Sequence, residues 1–212
     1  RRGRRRLSEA LMFTGIIREF GTVVRTERKQ GLVRLTIQAP KTASRVQLLE
    51  SVSVNGVCLS VVRVHQGALV FEAIPQTQRL TTLGSLRAGQ RVNVEPSLSI
   101  TDRLSGHILL GHVDGTGTVV KRRQPGGELV LEIRLPRPLR RFLVPNGPIA
   151  VDGVSLTVGP TLTDSTLAVH LIPETLRQTT LSTLTAGDRV NIELDYLAKL
   201  IHQFTCSRRG NG

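Results

Sequence analysis

The feature that most constrains this chain is that it is written twice. "IPQTQRLTTLGSLRAGQRVNVE" at 74–95 and "IPETLRQTTLSTLTAGDRVNIE" at 172–193 share 14 of 22 positions at an offset of 98 residues. "SVNGVCLSV" at 53–61 and "AVDGVSLTV" at 150–158 match at an offset of 97, and "GTVV" recurs from Gly21 to Gly117 at an offset of 96. Three anchors at nearly constant spacing divide the chain into homologous halves, 12–105 and 106–194. A duplicated unit must keep the residues its fold needs, while either copy can drift at its site. Identical positions are therefore structural candidates, and differing positions are where function divides.

Each half reads as all-β. "GTVVRTERKQGLVRLTIQA" holds two alternating strands around a polar turn, and "SVSVNGVCLSVVRVHQGALVFEAI" holds three, broken at Asn55-Gly56 and Gln66-Gly67. "LRAGQRVNVEP" supplies a turn and a sixth strand. Six short strands in so small a unit fit a closed barrel, which leaves no unpaired edge. Short helical turns are expected at 42–50 and 137–144. At the C-terminus, 195–212, Leu197, Leu200, Ile201 and Phe204 fall at i, i+3, i+4 and i+7, giving one apolar helical face. The first half ends without such a segment, so the helix is expected to serve oligomerisation.

Hydrophobic residues make up 39% and aromatics only 3%, with Val, Ile, Leu and Thr carrying the pattern. That composition fits strands of β-branched side chains. No apolar run approaches the roughly 20 residues that a helical membrane span requires. The net charge of +13 invites a nucleic-acid reading, but five arginines lie in "RRGRRR" at 1–6 and the rest are scattered. Basic residues interleaved with aromatics, as single-strand binders need, are missing. Neither nucleic acid nor membrane is expected as a partner. The basic leader, 1–11, stands apart from the periodic segments and is expected to be disordered. A cytoplasmic location is expected, or an organellar one if the leader is a targeting remnant.

Chemical motifs are sparse. A GxGxxG turn, a P-loop, a GxSxG elbow and an HExxH helix are all lacking, which argues against nucleotide-dependent redox and triad hydrolysis. Cys58 and Cys206 have no metal or redox spacing. His107 and His112, five apart with Asp114 near, would face opposite sides of a strand, so no metal site is expected. Cys58 and Ser60 share one strand face, as do Ser155 and Thr157 in the second copy. Recurrence of such short polar pairs beside Asn55-Gly56 and Asp152-Gly153 points to a site for a flat, heteroatom-rich ligand.

"MFTGII" at 12–17, the two NG/DG-x-x-L-[ST]-V repeats, "GHILLGHVDGTGTV" at 106–119, "HLIPETLRQTTL" at 170–181 and "VNIELDYLAK" at 190–199 together resemble riboflavin synthase of the α-chain type. The family also contains non-catalytic lumazine-binding relatives. The resemblance runs in order through residues 12–204. It implies two tandem six-stranded Greek-key β-barrels plus a C-terminal amphipathic helix, a homotrimer, and active sites between barrels of neighbouring subunits. It implies a cofactor-free dismutation of two 6,7-dimethyl-8-ribityllumazine molecules, and allows association with lumazine synthase.

Carried over position by position, the resemblance implies that Phe13, Thr14, Gly15, Ile16, Ser51, Cys58, Ser60 and His112 line the first barrel's site, with Thr77 near. Asp152, Ser155, Thr157, Ile172, Glu174 and Thr175 would line the second, with Asp195 at the interface. Ile17, Leu59, Gly111, Val113, Asn146, Leu156, Leu171 and Pro173 would complete the two linings. Proton transfer at one lumazine would fall to His112 or to the Cys58/Ser51 pair, while Ser155, Thr157 and Asp195 would orient the other and help activate a nucleophile. The chain departs from the family pattern at Val57, at Gln76 where a carboxylate is usual, and at Asn146 where a lysine is common.

Overall fold

The computed structural model describes residues 12–160 and 166–209. The expected disordered leader, 1–11, lies outside the described residues. The first half forms β1 (Glu19–Lys29), β2 (Leu32–Gln38), β3 (Ser51–Val54), β4 (Val57–His65), β5 (Ala68–Ala73) and β6 (Arg91–Pro96). They close into a barrel in the order β1-β2-β5-β4-β3-β6. The second half repeats it with β7 (Gly115–Arg123), β8 (Leu129–Arg134), β9 (Pro148–Val151), β10 (Val154–Thr157), β11 (Thr166–Leu171) and β12 (Arg189–Leu194). Its order is β10-β9-β12-β7-β8-β11, the same cyclic arrangement, and its end strands meet where Val158 bridges Val169.

The expected hairpin signals act where they stand. Asn55 and Gly56 both have positive φ, 46° and 78°, as do Asp152 and Gly153 at 45° and 77°. Two consecutive left-handed residues make the tight turn that matches strand twist. Alternation along the strands then builds two separate cores. Val23, Leu35, Ile37, Phe71 and Val92 fill the first. Val119, Leu131, Ile133, Val169 and Val190 fill the second.

The helical turns expected at 42–50 and 137–144 are shorter, α1 (Pro40–Ala43) and α3 (Arg137–Arg140). Two helices were not expected from the strand pattern, α2 (Pro75–Leu80) and α4 (Pro173–Gln178), each opening with proline at the first position. There its fixed φ suits the helix and its missing N–H costs nothing. Each is followed by a 3-10 turn whose first hydroxyl, Thr81 or Thr179, accepts from the leucine N–H two residues on. The C-terminal helix is α5 (Tyr196–Arg209). Its apolar stripe is open to solvent in the single chain, with Leu197 54%, Ile201 65% and Phe204 69% exposed.

Candidate functional site

The two halves meet on a pseudo-twofold contact made of the same residues twice. Asn93 N–H donates to Asn55 Oδ1 and Asn191 N–H to Asp152 Oδ1, both at 2.7 Å. Asn93 Nδ2 then crosses to the Asp152 carbonyl at 2.9 Å, and Asn191 Nδ2 to the Asn55 carbonyl at 2.8 Å. The Asn93 and Asn191 oxygens accept from Thr180 N–H and Thr82 N–H. At the centre, Gly56 and Gly153 touch so closely that a Cβ on Gly56 would lie 2.7 Å from the Gly153 nitrogen. Asn93 and Asn191 are each about 1% exposed, and the side chain of each is satisfied by the opposite half.

Two loops are exchanged across this contact. The backbone N–H groups of Thr14 and Gly15 bind the Glu95 carboxylate at 2.8 and 3.0 Å, while the Gly15 carbonyl accepts from Ser155 N–H at 2.9 Å. Reciprocally, Leu110 and Gly111 N–H bind Glu193 at 2.7 and 3.1 Å, and the Gly111 carbonyl accepts from Cys58 N–H at 2.9 Å. Burial pushes both carboxyls up, and the amide donors oppose it. Glycine is required at both crossings. Gly15 and Gly111 have φ of 75° and 70°, and an added Cβ would fall 2.6 Å from Ser155 and 2.5 Å from Cys58.

This exchange changes the expected assignment of the first loop. Residues 13–16 were expected in the first barrel's site, but Gly15 lies against Ser155, and Ile17, expected in one of the two linings, joins the second core. Phe13 is buried with Leu109 and Ala150 between the halves. Leu59 and Leu171 are buried core residues, 6% and 0% exposed, Leu59 because it alternates with Cys58 and Ser60 on the opposite strand face. Asp152 sits in the cleft between halves with Asn55, Thr82 and Thr180, a cavity of about 390 Å³. Burial pushes its carboxyl up to about 7, against the hydrogen bond from Asn191.

The other expected residues fall into two groups, one in each half. Asn146, Ser155, Leu156, Thr157, Ile172 and Thr175 line a cavity of about 470 Å³ in the second half, with Gly159 and His170 on its wall. Asn146 has φ 60° and its counterpart Leu49 φ 70°, so both halves have a left-handed residue at the same place. Pro173 opens α4 beside the cup, while Glu174 is tied to Arg177 and Gln178 and is exposed. In the first half, Ser51 hydrogen-bonds the Cys58 thiol, and burial pushes that thiol up, so it is held protonated at neutral pH. Ser60 is exposed on the same strand, Thr77 half-buried on α2, and Val113 packs against the first core. Ile16 is half-buried beside the exchanged loop, where its N–H donates to the Thr14 hydroxyl. A wider groove of about 680 Å³ on the outer face of the first barrel is lined by Arg25, Arg34 and Arg63. Two of its arginines are already paired, with Glu27 and Glu72, so it is not the better candidate.

His107 and His112 lie in the exchanged loop rather than a strand, and their environments differ sharply. His112 is exposed. His107 donates its backbone N–H to the Thr14 carbonyl, and its Nδ1 lies 2.7 Å from Ser155 Oγ. Its Nε2 is buried with no hydrogen-bond partner among the described residues. Burial pushes the imidazole down, and nearby Asp195 opposes this. Sequence reasoning gave His107 no named partner, because its 48-residue separation from Ser155 hides their contact. Asp195 is positioned by the start of α5, where Lys199 pairs with Asp114 at 2.9 Å and Leu194 N–H also binds Asp114. Among the described residues no group of three or more potential ligands could hold a metal ion, and no helix is long and apolar enough to cross a membrane.

Comparison with known proteins agrees with this architecture. The lumazine binding domain family matches residues 14–97 and 110–195, one copy per half. Riboflavin synthase of Bacillus subtilis (strain 168) is 36% identical over 193 residues, covering 91% of this chain and 89% of that protein. Riboflavin synthase of Mycobacterium bovis is 40% identical over 195 residues, covering 91% of this chain and 97% of that protein. Among solved structures, LumP in complex with 6,7-dimethyl-8-(1'-D-ribityl) lumazine is 25% identical with a TM-score of 0.78, covering 86% of this chain and 98% of that one. LumP in complex with riboflavin is 28% identical with a TM-score of 0.79 over the same shares. Two lumazine binding domains in tandem, closed on each other by exchanged loops and followed by a terminal helix, place this chain in the riboflavin synthase family.

Proposed function

We propose that the chain catalyses the dismutation of two 6,7-dimethyl-8-ribityllumazine molecules to riboflavin and 5-amino-6-ribitylamino-pyrimidinedione. The observation that carries this reading is the cup beside Ser155 together with its duplicate position in the first half, where Cys58 holds the same contact to the crossing glycine loop and Ser51 bonds its thiol. A reaction between two identical molecules needs two sites of the same kind. The products together contain the atoms of the two substrates, so a four-carbon unit can move with no oxidant, water or cofactor consumed. One lumazine loses a proton from its C7 methyl, which is acidic because the carbanion delocalises into the ring. The requirement on the protein is then positioning and a proton acceptor.

In this reading Ser51, Cys58, Ser60 and Thr77 hold one lumazine, and Ser155, Thr157 and Thr175 the other. His112 and Asp195 stand at the rims. The open stripe on α5 supports a homotrimer in which a first cup faces the second cup of a neighbour. Incubating the pure protein with the lumazine alone tests the reading: riboflavin absorbance should develop without additives. Stable bound lumazine fluorescence with no riboflavin would instead identify a binding protein, the activity that the LumP complexes display.

A further inference from the structure

We propose that Lys199 on α5 is a positioning residue for the first-half site: paired with Asp114, it holds the exchanged loop 110–114 against Cys58. The inference rests on the reading that this site holds lumazine. The loop meets the first half through the Gly111 carbonyl, which accepts from Cys58 N–H at 2.9 Å, and through Val113, which packs on the first core. Its other side is held by the second half. Glu193 binds Leu110 and Gly111 N–H, and Asp114 N–H donates to the Ile192 carbonyl at 2.8 Å. The Asp114 carboxylate then accepts from Lys199 Nζ at 2.9 and 3.0 Å and from Leu194 N–H at 2.8 Å. One clip thus joins the loop, the end of β12 and the first turn of α5.

Two features separate this clip from an ordinary surface pair. The Lys199 and Asp114 side chains are 23% and 20% exposed, whereas each other ion pair among the described residues has a partner at least 47% exposed. Solvent therefore screens this pair far less than the others. Lysine also has the wrong sign for its place, since the first turn of a helix carries the positive end of the dipole. Lys199 sits there with its N–H on the Asp195 carbonyl, and Asp114 offsets the penalty.

Comparison of the two copies carries the inference further. Gly15 and Gly21 match Gly111 and Gly117 at an offset of 96, which sets Arg18 opposite Asp114. Each exchanged loop is held by a buried glutamate, Glu95 or Glu193. Burial pushes each carboxyl up, the loop amides oppose it, and in each half a cation opposes it too. In the first half that cation is Arg18, carried close to the loop it serves. In the second half the matching position is an acid, and the cation is Lys199, supplied by α5. The first half has no such helix, since β6 is followed directly by β7. After duplication the second loop came to depend on α5, so the helix with the open apolar stripe is joined to the backbone beside Cys58.

The test follows amide hydrogen exchange by NMR in the full chain for wild type, Lys199→Met, Lys199→Arg and Asp114→Asn, with Glu72→Gln as a control that breaks the exposed pair with Arg34. In Lys199→Met and Asp114→Asn the amides of Leu110, Gly111 and Cys58 should exchange about tenfold faster, while Thr14 and Gly15, which make the same bonds in the other loop, stay within about twofold. Lys199→Arg and Glu72→Gln should keep all of these near wild type. Asp114→Asn retains an acceptor for Leu194 N–H, and it carries the test should Lys199→Met fail to fold. With 6,7-dimethyl-8-ribityllumazine as substrate, kcat/KM should fall about tenfold in Lys199→Met and Asp114→Asn and be unchanged in Glu72→Gln. Equal acceleration at both loops, or exchange at Leu110 and Gly111 as in wild type, would overturn the proposal. Faster exchange with unchanged kcat/KM would overturn it too. Should wild type make no riboflavin, the proposed function fails, and the loop is judged by exchange and by iodoacetamide alkylation of Cys58. That alkylation should quicken about tenfold in Lys199→Met, and an unchanged rate would overturn the proposal.

Discussion

Replacing Asp152 by asparagine should stabilise the protein, and only above acid pH. Asp152 is buried at the contact between the halves, its Oδ1 accepting from Asn191 N–H at 2.7 Å. Its carboxyl is pushed from the ordinary 3.8 up to about 7. A group with a raised folded pKa contributes its stability below the unfolded value and loses it as pH rises to the folded one. Between about pH 4 and 7 the folded chain holds a proton that the unfolded chain has released, so stability falls by about 1.4 kcal/mol per pH unit, about 4 kcal/mol in all. The replacement is already built into the molecule. Asn55 occupies the related position and accepts from Asn93 N–H at the same 2.7 Å, so an asparagine at 152 keeps the bond and carries no charge. Urea unfolding of wild type and Asp152→Asn at pH 5, 6, 7 and 8 isolates this carboxyl, since Glu95 and Glu193 contribute equally to both. The variant's advantage should grow with pH to about 3–4 kcal/mol at pH 8. A constant difference across the range, or a variant less stable at pH 8, would refute the reasoning.

Further outcomes follow from the exchanged loops and the cross-half bonds. Gly111→Ala puts a Cβ 2.5 Å from Cys58 in a left-handed backbone, and should cost at least about 2 kcal/mol, seen as a lowered Tm in calorimetry. Asn191→Ala leaves Thr82 N–H and the Asn55 carbonyl unpaired inside the protein, and should cost about 2–4 kcal/mol in urea unfolding. Cys58, whose thiol burial pushes up, should be alkylated by iodoacetamide at pH 7.5 far more slowly than exposed Cys206, and more slowly still with lumazine bound.

The repeat was legible because it is a property of letters, and the strands because β-branched alternation and Asn-Gly or Asp-Gly turns act locally. What reading one half at a time could not show is how the halves meet. Asn93 and Asn191 look like polar interruptions of a strand until each is seen to satisfy the other half's backbone. The short α2 and α4 were hidden by threonines that favour strands, although Pro75 and Pro173 were the available signal. The burial of Leu59 was legible from the same alternation that put Cys58 and Ser60 on the other strand face. His107 could not have been found: it meets Ser155 across 48 residues through an irregular loop, where spacing carries no geometric information.

The central claim is that duplication produced two ligand cups of unequal chemistry in one chain. Titration calorimetry with a non-reactive lumazine analogue tests it most directly. Two equivalents should bind per chain, with Thr157→Trp abolishing one and Ser60→Trp the other. A single equivalent per chain, or two that both vanish with either substitution, would contradict the account.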